Sequence, residues 1–279
     1  MRLIMLGTGH ALVTRCYNTT FVLEDQNKYF LVDCGGGNTI LKQLKLARIN
    51  LFNIHDVFIT HTHLDHILGI IWILRILCAS KADGREGLYL HIYAHEDAIK
   101  TIQELCKLFL PEFAEALNKC VEYILVDLNC NYRIIDHNIE FFDVCSTNIK
   151  QLGFVLDLND GSKVVFCGDE PCHTNNYHYL HKCKWLIHES FCLSSEEYIF
   201  KPYQKHHSTV RDVCRLAEDW QVENLILCHT EDKNLKVRRK LYVDEGKSFF
   251  SGNIFVPYDL EAINLGWNDS EYSGFVELR

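Results

Sequence analysis

The sequence predicts a layered α/β fold, and three observations lead there. Short runs of β-branched, aromatic and aliphatic residues alternate with helix-length stretches along the 279 residues. Polar residues able to bind metal repeatedly follow the ends of the strand-like runs, where such folds build their sites. With 48% hydrophobic and 23% charged residues, the composition is that of a globular protein long enough to bury a sizeable core.

The elements follow in order. Residues 3–6 form a strand that ends at Gly7-Thr8-Gly9, and residues 19–24 and 29–33 form a hairpin around Asp25-Gln26-Asn27-Lys28. Gly35-Gly36-Gly37 opens a helix that runs to Ala47. A short β-branched and aromatic strand at 57–60 delivers a run of histidines, and a long apolar helix follows it. Residues 88–94 form another strand. Residues 97–110 form an amphipathic helix stopped by Pro111. Strands are expected at 139–144, 153–157, 164–167, 185–188 and 225–228, with a helix at 209–220. Three of these strands end at Gly168-Asp169, Glu189 and His229. There are no repeats, low-complexity tracts or linker-like stretches, so one domain over 1–279 is expected.

Composition narrows the function. A formal net charge of −9 does not draw nucleic acid over the whole surface, so any polynucleotide substrate would be attracted by local cations or bound metals. The 13 cysteines are an odd number in a chain too large to need staples. The chain also opens directly into a strand rather than a leader. Free thiols in a reducing cytoplasm are the expectation, most of them acting as small buried hydrophobes. The apolar stretch at 67–77 is shorter than the roughly 20 residues needed to cross a bilayer, and Arg75 interrupts it. It reads as a core helix.

The chemistry centres on His61-Thr62-His63-Leu64-Asp65-His66. His61 and His63 leave a strand two residues apart, and Asp65 and His66 follow at once. One loop can thus supply two ligand pairs to two metals. Imidazole and carboxylate suit zinc, with manganese and iron as alternatives. Three histidines and an aspartate in six residues after a strand is a denser cluster than scattered surface histidines produce.

This run matches the H-x-H-x-D-H signature of the metallo-β-lactamase superfamily. The chain more closely resembles its ribonuclease Z-like branch, named for the tRNA 3′-processing endonuclease. Leu6-Gly7-Thr8-Gly9, Asn18 and Leu31-Val32-Asp33-Cys34-Gly35 resemble that branch's opening. Gly168-Asp169, His188-Glu189, His207-Ser208-Thr209 and Leu227-Cys228-His229 resemble its later motifs, in the same order. The resemblance implies a four-layer αββα sandwich, the metallo-β-lactamase fold. It implies two divalent metal ions. His61, His63 and Asp169 would hold the first. Asp65, His66, Asp169 and His229 would hold the second, with Asp169 bridging. Asp33 would brace the site, as an outer partner of ligand histidines does. Glu189 and His207 match a glutamate–histidine pair beside the leaving group. His207, steered by Glu189, would donate a proton or hold a phosphate oxygen, and Asp65 would orient the attacking water. Two metals would activate that water and clamp a phosphoryl group during in-line displacement. Read for structure alone, Glu189 is a buried carboxylate of an ion pair, and His206 a solvated or capping histidine beside His207.

Two departures from the branch stand out. Where relatives carry a further metal-binding histidine, this chain has Thr147. The first metal would then be held by His61, His63, Asp169 and water, by a substitute such as Cys145, Asp143 or His173, or not at all. For Cys145 a buried core thiol is the plainer reading. Second, only about twenty residues separate Thr147 from Asp169, which leaves no room for the arm with which tRNA-processing relatives grip their substrate. The cations Lys233, Lys236, Arg238, Arg239 and Lys240 could meet a phosphate backbone, but a solvated helix face beside Glu231 and Asp232 is the expectation. Tyr203 and Phe200 could stack bases or simply pack.

The leading expectation is a phosphodiesterase or ribonuclease Z-like nuclease using a metal-activated water. Its substrate would be a small phosphodiester, a cyclic nucleotide or RNA ends, with small or flexible substrates favoured. The alternatives are a hydrolase of thioester, lactone or amide carbonyls, and a metal-binding sensor with an eroded first site. No membrane association is expected, and the resemblance leaves room for a homodimer.

Overall fold

The computed structural model describes residues 1–266 and the strand at 275–276. The strands are β1 (Arg2–Gly7), β2 (Thr20–Asp25), β3 (Lys28–Val32), β4 (Ile54–Phe58), β5 (Leu90–Ala94), β6 (Val121–Leu125), β7 (Asn131–Ile134) and β8 (His137–Asp143). They continue with β9 (Leu152–Asp157), β10 (Lys163–Phe166), β11 (Trp185–Glu189), β12 (Asn224–Cys228), β13 (Asn253–Phe255), β14 (Ala262–Asn264) and β15 (Phe275–Val276). The helices are α1 (Thr39–Leu46), α2 (Leu64–Ile67), α3 (Gly69–Ala82), α4 (Glu96–Phe109), α5 (Ala114–Cys120), α6 (Tyr177–Leu180), α7 (Glu197–Phe200), α8 (Val210–Asp219) and α9 (Arg238–Gly246). None of the described helices is long and apolar enough to cross a membrane.

The chain forms two compact units. The first comprises Met1–Gly7, Tyr17–Val126 and Asp259–Arg279. Its sheet runs β15-β14-β1-β2-β3-β4-β5-β6. The β2–β3 hairpin turns at Gln26 and Asn27, both in left-handed backbone, as a two-residue hairpin turn requires. From β3 onward the pairing is parallel, through β4, β5 and β6. Parallel pairing needs crossovers, and α1, α3 and α4 supply them. The core packs Val22, Leu31 and Val57 of the strands against Ile40 and Leu44 of α1, Ile70, Ile73 and Leu74 of α3, and Ala98 and Ile102 of α4. The apolar stretch after the histidines is thus core, as expected. Its first residue, Gly69, admits no side chain: a Cβ there would stand 1.8 Å from the carbonyl oxygen of Cys34.

The second unit comprises Thr8–Cys16 and Asp127–Tyr258. Its sheet runs β13-β12-β11-β10-β9-β8-β7. Strands β7 to β10 are joined antiparallel, and β10, β11, β12 and β13 are parallel. Its core packs Val155, Val165, Leu186 and Leu225 with Val213, Cys214 and Ala217 of α8 and Tyr242 of α9. Helix α8 starts with a capping box: the Thr209 side chain accepts from the Asp212 amide while the Asp212 carboxylate accepts from the Thr209 amide.

One expectation is corrected here. The cysteines are not all free: Cys167 and Cys172 are joined in a disulfide, and the other eleven are thiols. The loop between them reverses at Gly168, whose φ of +74° is left-handed, and this brings the two sulfurs together. The strands β6, β7, β13, β14 and β15 and the helices α5, α6, α7 and α9 were not predicted from the sequence.

Candidate metal centre

In the first unit, β3 and β4 lie side by side and parallel, so the residues that follow them emerge together. Asp33 follows β3 in left-handed backbone (φ +57°), and its amide donates to the Phe58 carbonyl. Its buried carboxylate then accepts from the Thr60 amide (2.9 Å), the Thr60 hydroxyl (2.8 Å to Oδ2) and His66 Nδ1 (2.6 Å). Because the Thr60 hydroxyl spends its one proton on Asp33, it accepts from Nδ1–H of His61, 2.8 Å away. Both buried histidines are therefore held by Nδ1, and in both the Nε2 lone pair is the atom left to coordinate. His63 closes the turn as the residue preceding α2, with its Nδ1 2.9 Å from His61 Nε2. Asp65 is buried in the first turn of α2, with Oδ2 3.4 Å from His66 Nε2. Four of the expected ligands thus converge in this unit, with His66 tied to Asp33 directly and His61 through Thr60.

The second unit repeats the logic at the ends of three adjacent parallel strands. Asp169 follows β10, Glu189 ends β11, and His229 follows β12 in left-handed backbone (φ +53°). His229 Nε2 lies 3.5 Å from Asp169 Oδ2. His207 arrives from the loop before α8, and its Nδ1 donates to the Asp169 carbonyl at 2.8 Å. Its ring stacks on Phe191, 4.7 Å between centroids and 8° between planes. Donor atoms of Glu189, His207 and His229 all lie within 4.8 Å of one another. Burial, then the neighbouring His229, pushes His207 down to about 3, so the ring is neutral near pH 7. Burial also drives Glu189 well above the ordinary carboxylate range. Its Oε1 accepts from the Ser208 amide at 2.6 Å, and Oε2 lies 3.8 Å from His207 Nδ1. The hydrogen bond that orients His207 therefore comes from the Asp169 carbonyl. Glu189 fixes the backbone one residue beyond.

The remaining sequence candidates find other partners. Thr147 Oγ1 lies 2.8 Å from His206 Nδ1, and its amide reaches Glu170 at 3.3 Å. The Cys145 thiol turns back to the Asp143 carbonyl, Asp143 accepts from the Cys145 amide, and His173 caps the turn at Asn175. In the basic stretch, Arg238 is fully buried and donates to Thr8, Thr230 and the Pro257 carbonyl. Arg239 donates to the Val256 carbonyl, Lys233 pairs with Glu196, and Lys240 with Asp244. Tyr203 donates to Asp212, and Phe200 packs against Phe191. The sequence reading missed His10, whose ring lies 4.5 Å from Phe191 and 6.3 Å from His229. Its only signal was its place just after Gly7-Thr8-Gly9. Thr60 and Phe191 were missed as well, because a hydroxyl or a ring next to a ligand carries no signature of its own.

The comparisons with known proteins agree with this architecture. The family described as Anti-Pycsar protein Apyc1 matches residues 1–249. The chain is 26% identical to ribonuclease Z of Thermococcus sibiricus, over 95% of this chain and 97% of that one. Its structure is similar to the metallo-β-lactamase fold protein YhfI of Bacillus subtilis, with a TM-score of 0.76 and 16% identity, covering 94% of this chain and 98% of the other. It is also similar to the short form of human tRNase Z, with a TM-score of 0.71 and 20% identity, covering 95% and 99%. These two likenesses show the metallo-β-lactamase fold, in agreement with the expected α/β class.

Proposed function

The chain belongs to the family of anti-Pycsar protein Apyc1, within the ribonuclease Z-like branch of the metallo-β-lactamase superfamily, and from that premise we propose that it is a metal-dependent phosphodiesterase. The observation that carries the metal is the tethering of both buried histidines through Nδ1, His66 by Asp33 and His61 by Thr60. Outer partners of this kind fix the tautomer and raise the basicity of the coordinating nitrogen. Neutral imidazoles and carboxylates are the donor set of zinc, manganese and iron sites, so the residues fit the group. In this reading His61, His63 and Asp169 serve one divalent ion and Asp65, His66, Asp169 and His229 the other, and the two units act as one catalytic domain. Such ions would supply positive charge at the phosphoryl oxygens and an acidified water.

The chain's own groups do the rest. Asp65 orients the attacking water by accepting its hydrogen bond. His207, with Nδ1–H on the Asp169 carbonyl, turns Nε2 toward the departing oxygen. That nitrogen is unprotonated before substrate arrives. The negative charge of a bound phosphodiester favours uptake of a proton from solvent water at that nitrogen, which then gives this proton to the leaving group. Glu189, buried and bound to the Ser208 amide, holds the His207 loop and its 3.8 Å spacing.

The segment between Thr147 and Asp169 supports a small or flexible substrate. It is the antiparallel pair β9 and β10 with a tight turn at Gly161, and no arm projects from it. A cyclic nucleotide, another small phosphodiester or an RNA end fits this reading better than a folded tRNA. The thiol-rich composition keeps the cytoplasm as our proposed location.

The test is elemental analysis of protein purified without added metal, together with turnover of bis(p-nitrophenyl) phosphate. Close to two metals per chain with turnover is the expected result. Turnover of p-nitrophenyl acetate with none of the phosphodiester would replace the reading with a carbonyl hydrolase. Loss of both, even with added zinc, manganese or iron, would replace it with a sensor.

A further inference from the structure

Thr147 stands where the family resemblance leads one to expect a histidine, and the structure gives it partners of its own. Its hydroxyl holds His206, 2.8 Å from Nδ1, and its amide binds Glu170. The next residue, His207, donates to the carbonyl of Asp169. His207 is thus bound to Asp169 directly, and His206 is linked to Glu170 only through Thr147. His206 is exposed and takes a left-handed backbone (φ +63°), a conformation glycine or asparagine adopts with less strain. In the tautomer in which Thr147 donates to Nδ1, Nε2 carries the proton and is a hydrogen-bond donor.

Lys205 precedes this pair. Its ammonium sits 4.8 Å over the Phe191 ring, the same ring that stacks on His207. Among the described residues no carboxylate lies within ion-pair distance of Lys205. By contrast Lys233, Arg238, Arg239 and Lys240 of the basic stretch are all engaged by carboxylates, hydroxyls or carbonyls. Lys205 and His206 are the cation and the imidazole that directly precede His207 in the chain.

We infer that Lys205 and His206 form an anion-recognition subsite that takes phosphate oxygens of the substrate, with Thr147 as the residue that positions His206. The inference rests on the phosphodiesterase reading for its place in catalysis, though not for its ability to bind phosphate. An ammonium resting on an aromatic face keeps its charge and two of its three donor directions available, and a tethered imidazole adds a directional N–H. Charge-assisted donors of this kind bind phosphate oxygens strongly.

The experiment uses full-length protein in its purified metal state and inorganic phosphate as probe. Binding is measured by calorimetry at two salt concentrations for wild type, Lys205→Gln, His206→Gln and Thr147→Val, with exposed Lys236→Gln as control. Metal content and circular dichroism are recorded for each. The expected result is about tenfold weaker phosphate binding for Lys205→Gln and His206→Gln, the size of one charge-assisted hydrogen bond. Thr147→Val should give a smaller loss of the same sign, and Lys236→Gln none, with metal content unchanged throughout. With bis(p-nitrophenyl) phosphate, KM should rise while kcat stays within about twofold, as for lost uniform binding. Phosphate binding within twofold of wild type in both Lys205→Gln and His206→Gln overturns the subsite, whatever the turnover. Weakened phosphate binding in a protein that turns over no phosphodiester upholds the subsite and sinks the phosphodiesterase reading.

Discussion

Replacing Asp33 by asparagine changes one atom and should loosen the proposed metal site, which Asp33 itself does not enter. The carboxylate is buried and accepts from the Thr60 amide, the Thr60 hydroxyl and His66 Nδ1. The oxygen of the new carboxamide can keep the Thr60 amide, which leaves its NH2 group facing His66 Nδ1 at the present 2.6 Å. Two donors cannot share that contact, so the imidazole must move its proton from Nδ1 to Nε2, the nitrogen expected to coordinate. Losing the charge-assisted bond should cost about 1.5–3 kcal/mol of stability. Forcing the wrong tautomer should weaken metal binding about 10- to 100-fold. Backbone strain is not the cause, because asparagine tolerates the φ of +57° found at this position. Asp33→Ala adds that strain and strands three donors, so it should be the less stable of the two. Urea titration of metal-free protein measures the first effect, and zinc competition with a chelator the second. Stability lost with zinc affinity within twofold of wild type would refute the tautomer argument.

Three further outcomes follow from the packing. Gly69→Ala should fail to fold or lose several kcal/mol, since its Cβ would overlap the Cys34 carbonyl at 1.8 Å, whereas Gly37→Ala, with nothing within 4 Å, should be neutral or gain about 0.4–1 kcal/mol; soluble yield and urea midpoints decide. Thr209→Ala removes the capping box of α8 and should cost about 1 kcal/mol in the same assay, with Thr209→Ser recovering most of it. Burial holds His188 down at about 4 against an ordinary 6.5, while its Nε2 accepts from the Cys172 amide. Below pH 6.5 the unfolded chain binds a proton that the folded chain refuses, so this group's contribution falls as pH drops toward 4, by about 2 kcal/mol between pH 7.5 and pH 5. His188→Gln should flatten that part of the pH dependence of stability, and an unchanged slope would show that other groups set it.

What could be read from the sequence divides along physical lines. Strands β1, β9 and β12 were legible because they are largely apolar runs ended by turn residues, the pattern of strands covered on both faces, whereas β4 spans Ile54–Phe58 and was expected at 57–60 because His55 and Asp56 break its apolar run. Strand β6 was missed because its residues are half-buried or exposed: Val-Glu-Tyr-Ile-Leu at the sheet edge gives neither a clean alternation nor an apolar run. Strands β13 and β14 are three residues each, too short for any period to register. The histidine run was legible because its ligands are adjacent in sequence. Thr60 was not, because its role depends on β3 and β4 being neighbours, which brings residues 33 and 60 together.

The same principle accounts for the polar residues of the second unit. Asp169, Glu189 and His229 are far apart in sequence, yet each stands at the carboxyl end of a parallel strand in the run β10-β11-β12. Parallel strands in register end together, so three residues from three separate motifs are delivered to one edge without any local signature linking them. His207 joins them by a different route, from a loop fixed by its own backbone: its amide donates to the Pro202 carbonyl, and the Ser208 amide to Glu189. Lys205 and His206 belong to the same loop. Its donors are set by Thr147 and Phe191 rather than by the sheet. Ligand positions dictated by strand ends are hard to change without losing the fold. Lys205 and His206 are exposed and can change side chains at little structural cost, which on the proposed reading makes them the positions best suited to tuning which substrate is taken.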